Sequence, residues 1–245
     1  MVTSQEISIL IPTLNRSGFL ERTLRYYDSL NFQGKILIGD SSSGNHASKN
    51  LQTVKRYKKN LDLDLIDCPK PEQKAKVDWI GFSGEAIAFK KLLRLVKTEF
   101  IVASGDDDFL IPQSLLACAQ ALDKTPGYSG FCGARLDFEV SNDLDTGEVS
   151  YVKRIPYYAI ESDKGVDRWK TYAEHAISPL YSVIRTKDWV EVYEHFDAVP
   201  LRYIGSEFLP SALIVIKGKI GVLDRLTIMH QDQANRVLDW NKVSF

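Results

Sequence analysis

The 245-residue sequence predicts an α/β fold, three layers deep (α/β/α), around a mostly parallel, Rossmann-like central sheet. Three observations predict it. Strand-like and helix-like patterns alternate over the first hundred residues in the order βαβαβαβ. The strands among them are short apolar runs, as expected when helices cover both faces of a parallel sheet. The composition, 44% apolar and 26% charged, is that of a soluble globular chain and excludes disordered, collagenous and coiled-coil classes.

Each element has its own signal. Ile7 to Ile11 is a β-branched run stopped by Pro12, and Arg16 to Leu30 carries Phe19, Leu20, Leu24, Tyr27 and Leu30 at helical spacing. Lys35 to Gly39 predicts a second strand ending at Asp40, followed by the polar loop Ser41-Ser42-Ser43-Gly44 and a helix over Ala47 to Lys59. In that helix Lys55, Arg56, Lys58 and Lys59 read as a solvated face. Leu61 to Ile66 is the third strand, Gly84 to Val96 a helix, and Phe100 to Ala103 a short buried strand. Pro112 opens a helix to about Leu122, since proline is favoured in a first turn. Phe131 to Val140 and Val149 to Ile155 predict an antiparallel pair around a turn at Asn142 to Gly147, with Tyr151 to Tyr158 as a flap. Pro179 to Ile184 predicts a strand, Thr186 to Phe196 and Ser206 to Ile216 helices, and Gly221 to Met229 a closing strand. Without a linker or repeat, one continuous domain with two halves is expected, residues 1–125 and 126–245.

Charge and cysteine content narrow the function. Lys and Arg total 31 against 32 Asp and Glu, a net charge of -1, so no whole-chain basic field exists for nucleic acid. Cys68, Cys118 and Cys132 are widely spaced and odd in number, which predicts reduced core thiols. The amino terminus lacks a signal-peptide pattern, and the apolar run Ala212 to Ile216 falls far short of the roughly 20 residues of a membrane span. A cytoplasmic protein is expected, compatible with peripheral contact at the inner face of a membrane.

The chemistry concentrates at strand ends, where open α/β sheets bind ligands. FIVASGDDDFL (Phe100 to Leu110) runs a strand into Asp106, Asp107 and Asp108. Residues two apart in an extended turn point the same way, so Asp106 and Asp108 are expected to face one site and to suit a divalent cation, Mn2+ or Mg2+. Asp40 ends the neighbouring strand, and Thr13, Asn15 and Arg16 follow the first. A carboxylate at Asp40 suits a base imide or ribose hydroxyl; as a local feature it equally suits a turn with its serines. No Gly-rich dinucleotide or P-loop pattern occurs, and Leu110 stands where a D-x-D-x-T phosphohydrolase requires threonine.

Together, ISILIPTLNR, ILIGDSSSG and FIVASGDDDFL, in that order and over about 110 residues, resemble the nucleotide-sugar half of inverting family-two glycosyltransferases with a GT-A fold. The resemblance implies that Pro12, Thr13, Asn15 and Arg16 line the nucleotide pocket and that Asp40 contacts the base. It implies that Asp106 and Asp108 hold metal and diphosphate, with Asp107 beside the donor. Lys91, from the Lys90-Lys91 pair, stands near the family's Arg-Asn position. Ser206-Glu207 resembles the later acidic motif, which makes Glu207 the expected catalytic base, and His230 in TIMHQDQ is the expected late metal ligand. The implied donor is a UDP-, GDP- or dTDP-sugar, and the acceptor a glycan or lipid-linked glycan. The competing expectation is a non-catalytic glycan or nucleotide-sugar binding module. Trp169, Tyr172, His175 and Trp189 lie in the acceptor region and suit either sugar stacking or the core.

Overall fold

The computed structural model describes residues 2–68, 84–141, 145–175, 179–194 and 207–233. Four strands, β1 (Ile7–Thr13), β2 (Lys35–Asp40), β3 (Asp62–Asp67) and β4 (Phe100–Ala103), lie parallel in the spatial order β3-β2-β1-β4. The crossovers between them contain α1 (Ser17–Ser29), α2 (Gly44–Tyr57) and α3 (Gly84–Leu93). β1 is buried on both faces because its side chains alternate between two cores. Ile7, Ile9 and Ile11 join Leu20, Leu24 and Tyr27 of α1 and Val54 of α2, whereas Leu10 joins Phe89 and Leu92 of α3. The predicted three layers follow from this alternation.

After β4 the chain forms β5 (Phe109–Leu110), α4 (Pro112–Lys124), β6 (Tyr128–Val140), β7 (Val149–Ile155) and α5 (Gly165–His175). It continues through β8 (Val183–Arg185), α6 (Thr186–Glu194), α7 (Leu209–Lys217) and β9 (Lys219–Asp232). β8 lies antiparallel between β4 and β6 and so joins the two halves into one sheet; β9 runs parallel to β6 and carries β5 on its other side. The predicted β6–β7 hairpin is present, and β7 is exposed along nearly its whole length.

The structure departs from the sequence expectation at several elements. Pro179 to Ile184 is not one strand: Ser182 N donates to Pro179 O at 2.9 Å, closing a short 3-10 turn at Pro179–Tyr181 before β8 begins. α5 and the two-residue β5 are additional elements; β5 is too short to carry a sequence pattern and exists through its pairing with Ile228 and Met229. α2 begins at Gly44, whose φ of 55° suits glycine, three residues before the predicted start. The cysteines are buried free thiols, and among the described residues no helix is long and apolar enough to cross a membrane.

Candidate active site

Thr13 and Asp40 are paired in register at the carboxyl ends of β1 and β2, and the turn at residues 104–108 extends β4 over the same edge. Polar residues collect there because the apolar alternation stops where the strands leave the two cores. The turn bends at Asp106 and Asp107, so the alternation of an extended strand does not carry through it. Asp106 points inward: its Oδ2 accepts from Thr13 Oγ1 at 2.6 Å, and its Oδ1 lies 3.1 Å from Arg16 Nη1. Asp107 and Asp108 converge. A Cβ on Gly105 would stand 2.6 Å from Asp107 Oδ1 and 2.8 Å from Asp108 Oδ2, so glycine leaves a small cradle open between two carboxylates.

Burial and crowding set the electrostatics. Burial pushes the Asp106 carboxyl up to about 7, against Arg16 and Thr13 and with help from its acidic neighbours. Asp107 is raised by burial and by the charge of Asp108. Burial also penalises the Asp108 charge, but His230, Tyr181 and the Gly105 N–H outweigh it and hold Asp108 below the ordinary carboxyl range. Arg16 lies over the Phe19 ring, 4.1 Å from its centroid, and its Nη2 is 2.9 Å from Asp107 Oδ2, which also accepts from Gln233 Nε2. Arg22 fixes the backbone below: Nη2 donates to Asp107 O and Nη1 to Asp145 O, both at 2.9 Å, tying the β6–β7 hairpin to the acidic turn.

At the ends of β1 and β2 two loops are laced together. Asn15, at φ 56°, donates its N–H to Ser42 Oγ at 2.7 Å and accepts at Oδ1 from Ser43 N at 3.0 Å. Asp40 accepts from Ser42 N at 2.8 Å and from Asn50 Nδ2 at 3.1 Å, the turn role its serines foreshadow. Its carboxylate is thereby oriented at the strand edge, with further lone pairs available to a ligand. Pro12 faces Gly39 across the same pair of strands. Lys91 Nζ donates to Asp67 O at 2.5 Å; Asp67 ends β3 as the register partner of Asp40, so this contact lies one strand from Asp40 and three strand positions from β4.

On the other side β9 delivers His230. Because Phe109 pairs with Met229, the next residue lies against Asp108, and His230 Nδ1 is 2.7 Å from Asp108 Oδ1. The Tyr181 ring is 5.9 Å from His230, and its hydroxyl bonds to Asp108. Burial raises the Tyr181 hydroxyl far above its usual range, and the charges of Asp108 and Glu207 add to the effect. Glu207 itself is exposed, two residues ahead of α7; Ser206 lies outside the described residues. Trp189 is core, packed on Phe89 and Tyr193, and Tyr172 is buried against Phe208; Trp169 is exposed and His175 stacks on Tyr158.

Sequence reasoning missed Tyr181, Arg22, Gln233 and Arg135. Arg135 holds Asp137 through Nε at 2.6 Å, and Asp137 is the register partner of His230. Only strand pairing reveals these neighbours, and no local pattern marks them.

Among the described residues, no group of three or more His, Cys, Asp or Glu side chains is gathered around a metal position. Asp106 is engaged by Thr13 and Arg16, and Asp108 by His230. The Asp107–Asp108 cradle still fits a hard cation, because magnesium and manganese are commonly held by one or two carboxylates together with substrate phosphates.

No protein-family model and no curated protein matches the chain. Solved structures do. S. aureus TarS 1–349 superposes with a TM-score of 0.59 at 14% identity, covering 92% of this chain and 60% of that one. The same protein in complex with UDP-GlcNAc gives 0.58 at 16% identity, covering 94% and 59%. The mannosyltransferase PcManGT from Pyrobaculum calidifontis, in complex with GDP-Man and Mn2+, gives 0.53 at 13% identity, covering 94% and 58%. The chain therefore has the GT-A-like glycosyltransferase fold, and it spans about three fifths of the length of these proteins.

Proposed function

We propose that this protein is a metal-dependent, inverting glycosyltransferase that moves a sugar from a nucleotide sugar to an acceptor hydroxyl in glycan or polysaccharide synthesis. The observation that carries the reading is the shared strand edge, where Thr13 and Asp40 stand in register and Thr13 holds the acidic turn through Asp106. The fold supports it, as do the nucleotide sugars bound by structures of that fold. Residues 1–125 hold a UDP-, GDP- or dTDP-sugar in this reading, and residues 126–245 hold the acceptor.

Asp107 and Asp108 would hold Mn2+ or Mg2+, which supplies a positive charge to the departing diphosphate when bound. His230 and Tyr181 orient Asp108, while Thr13 and Asp40 fix the turn and the nucleoside. Glu207 takes the proton of the acceptor hydroxyl as that oxygen attacks the anomeric carbon from the face opposite the diphosphate. One carbon–oxygen bond forms, the other breaks, and its electron pair leaves with the diphosphate.

The test is a thermal-shift panel of UDP-, GDP- and dTDP-sugars with and without Mn2+, since a ligand that binds only the folded state raises its melting temperature. Stabilisation by one nucleotide sugar that requires Mn2+ is the expected result, followed by nucleoside diphosphate release when an acceptor is added. Binding without turnover across a broad acceptor panel would identify a binding module instead, and no response to any nucleotide would overturn both readings.

A further inference from the structure

Arg16 is already committed to the acidic turn. Its guanidinium bridges two carboxylates, Asp106 Oδ1 at 3.1 Å and Asp107 Oδ2 at 2.9 Å, and its face covers Phe19. Arg22, the neighbouring cation, donates to the carbonyls of Asp107 and Asp145, and His230 meets Asp108, so the direct ion pairs to Asp106 and Asp107 are made by Arg16. Three adjacent carboxylates in a largely buried turn repel one another, and a cation in this position offsets that repulsion. Arg16 is also placed to leave. Its side chain is 33% exposed, it follows Asn15 at φ 56°, and it stands as the residue before α1 with no side-chain cap bond.

The Asp107 carboxylate that Arg16 holds through Oδ2 is the one that reaches the Gly105 cradle through Oδ1. A divalent cation entering the cradle and the guanidinium therefore draw on one negative charge. We propose that Arg16 is an exchangeable counter-ion: it neutralises Asp106 and Asp107 until a cation binds, then transfers its charge to the diphosphate of the donor. The inference rests on the nucleotide-sugar reading. It predicts that metal and nucleotide bind cooperatively, because each removes a cost from the other's binding, and that Arg16 carries that coupling.

The test is an electron paramagnetic resonance titration of Mn2+ into the wild type, Arg16→Gln and Arg16→Lys, alone and with saturating UDP or GDP. Without nucleotide, Arg16→Gln should bind Mn2+ roughly fivefold or more tightly than wild type, and the tightening that nucleotide produces should be smaller than in the wild type, the remainder coming from the cation's own attraction to the diphosphate. A residue that merely supports the loop would give the opposite sign, so unchanged or weaker Mn2+ binding in Arg16→Gln overturns the proposal, as does a nucleotide effect equal to that of the wild type. Arg16→Lys keeps the charge but loses the two-carboxylate fork and should fall between. If Arg16→Gln does not fold, Arg16→Lys decides: tighter Mn2+ binding supports the exchange and wild-type affinity overturns it. If Arg16→Gln binds Mn2+ more tightly while neither UDP nor GDP binds the wild type, the counter-ion role stands and the transfer to diphosphate falls with the nucleotide reading.

Discussion

The sheet edge formed by β1, β2 and β4 is laced, whereas the β7 strand is draped. β1, β2 and β4 are almost entirely buried, and the loops beyond them are cross-tied by Asn15, Ser42, Ser43 and Asn50. By contrast, β7 exposes Val149 and Val152, each at 57%, and Tyr151, and is held mainly by its pairing with β6. The contrast teaches where rigidity is required. Orienting a diphosphate and a cation needs fixed carboxylates, whereas an acceptor can be met by a surface with room to adapt.

Mutations can break that comparison or sharpen it. The largest effect is expected outside the laced edge: Glu207→Gln should lower turnover by roughly 100-fold to 10,000-fold while donor affinity, read by calorimetry, stays unchanged. Equal losses in both would move Glu207 out of the base role. Stability should divide the other way. Leu10→Ala, in the fully buried centre of β1, should cost about 3 kcal/mol in chemical denaturation, whereas Val152→Ser on β7 should stay within about 0.5 kcal/mol. Comparable costs would mean that β7 is packed more tightly than its exposure indicates.

Next in size, Gly105→Ala should weaken Mn2+ binding by about 10-fold to 100-fold in the same titration used for Arg16, with little change in melting temperature. The added methyl meets only the ends of two aspartate side chains, which can rotate aside at the expense of the cradle. The smallest effect belongs to Lys91→Ala, which should change donor affinity less than about fivefold because its ammonium is bound at the end of β3. A larger loss would place Lys91 in the donor pocket.

Much of this was legible in the sequence. Apolar runs broken by Pro12, Asp40 and Ser104 mark where strands leave the core, and strand ends are where α/β sheets place ligands. Asp40 illustrates the partial case: its place at the sheet edge was readable, as was its turn with the serines, but Asn50 joins it only through the fold of α2. The acidic triplet was readable as a cluster but its side-chain partners were not, because alternation applies to extended backbone and this turn bends at Asp106.

The amino-acid sequence by itself determined the layers, the order of the first four strands' elements and the positions of the carboxylates along the chain. All of these follow from local periodicity and from residues that stop it. Only the tertiary structure decided which carboxylates converge, that Arg16 bridges two of them, and that His230 and Tyr181 support Asp108. Arg16, Tyr181 and His230 reach these carboxylates from 73 to 122 positions away through the packing of the sheet, and contacts across such distances leave no repeat or spacing in the chain to read.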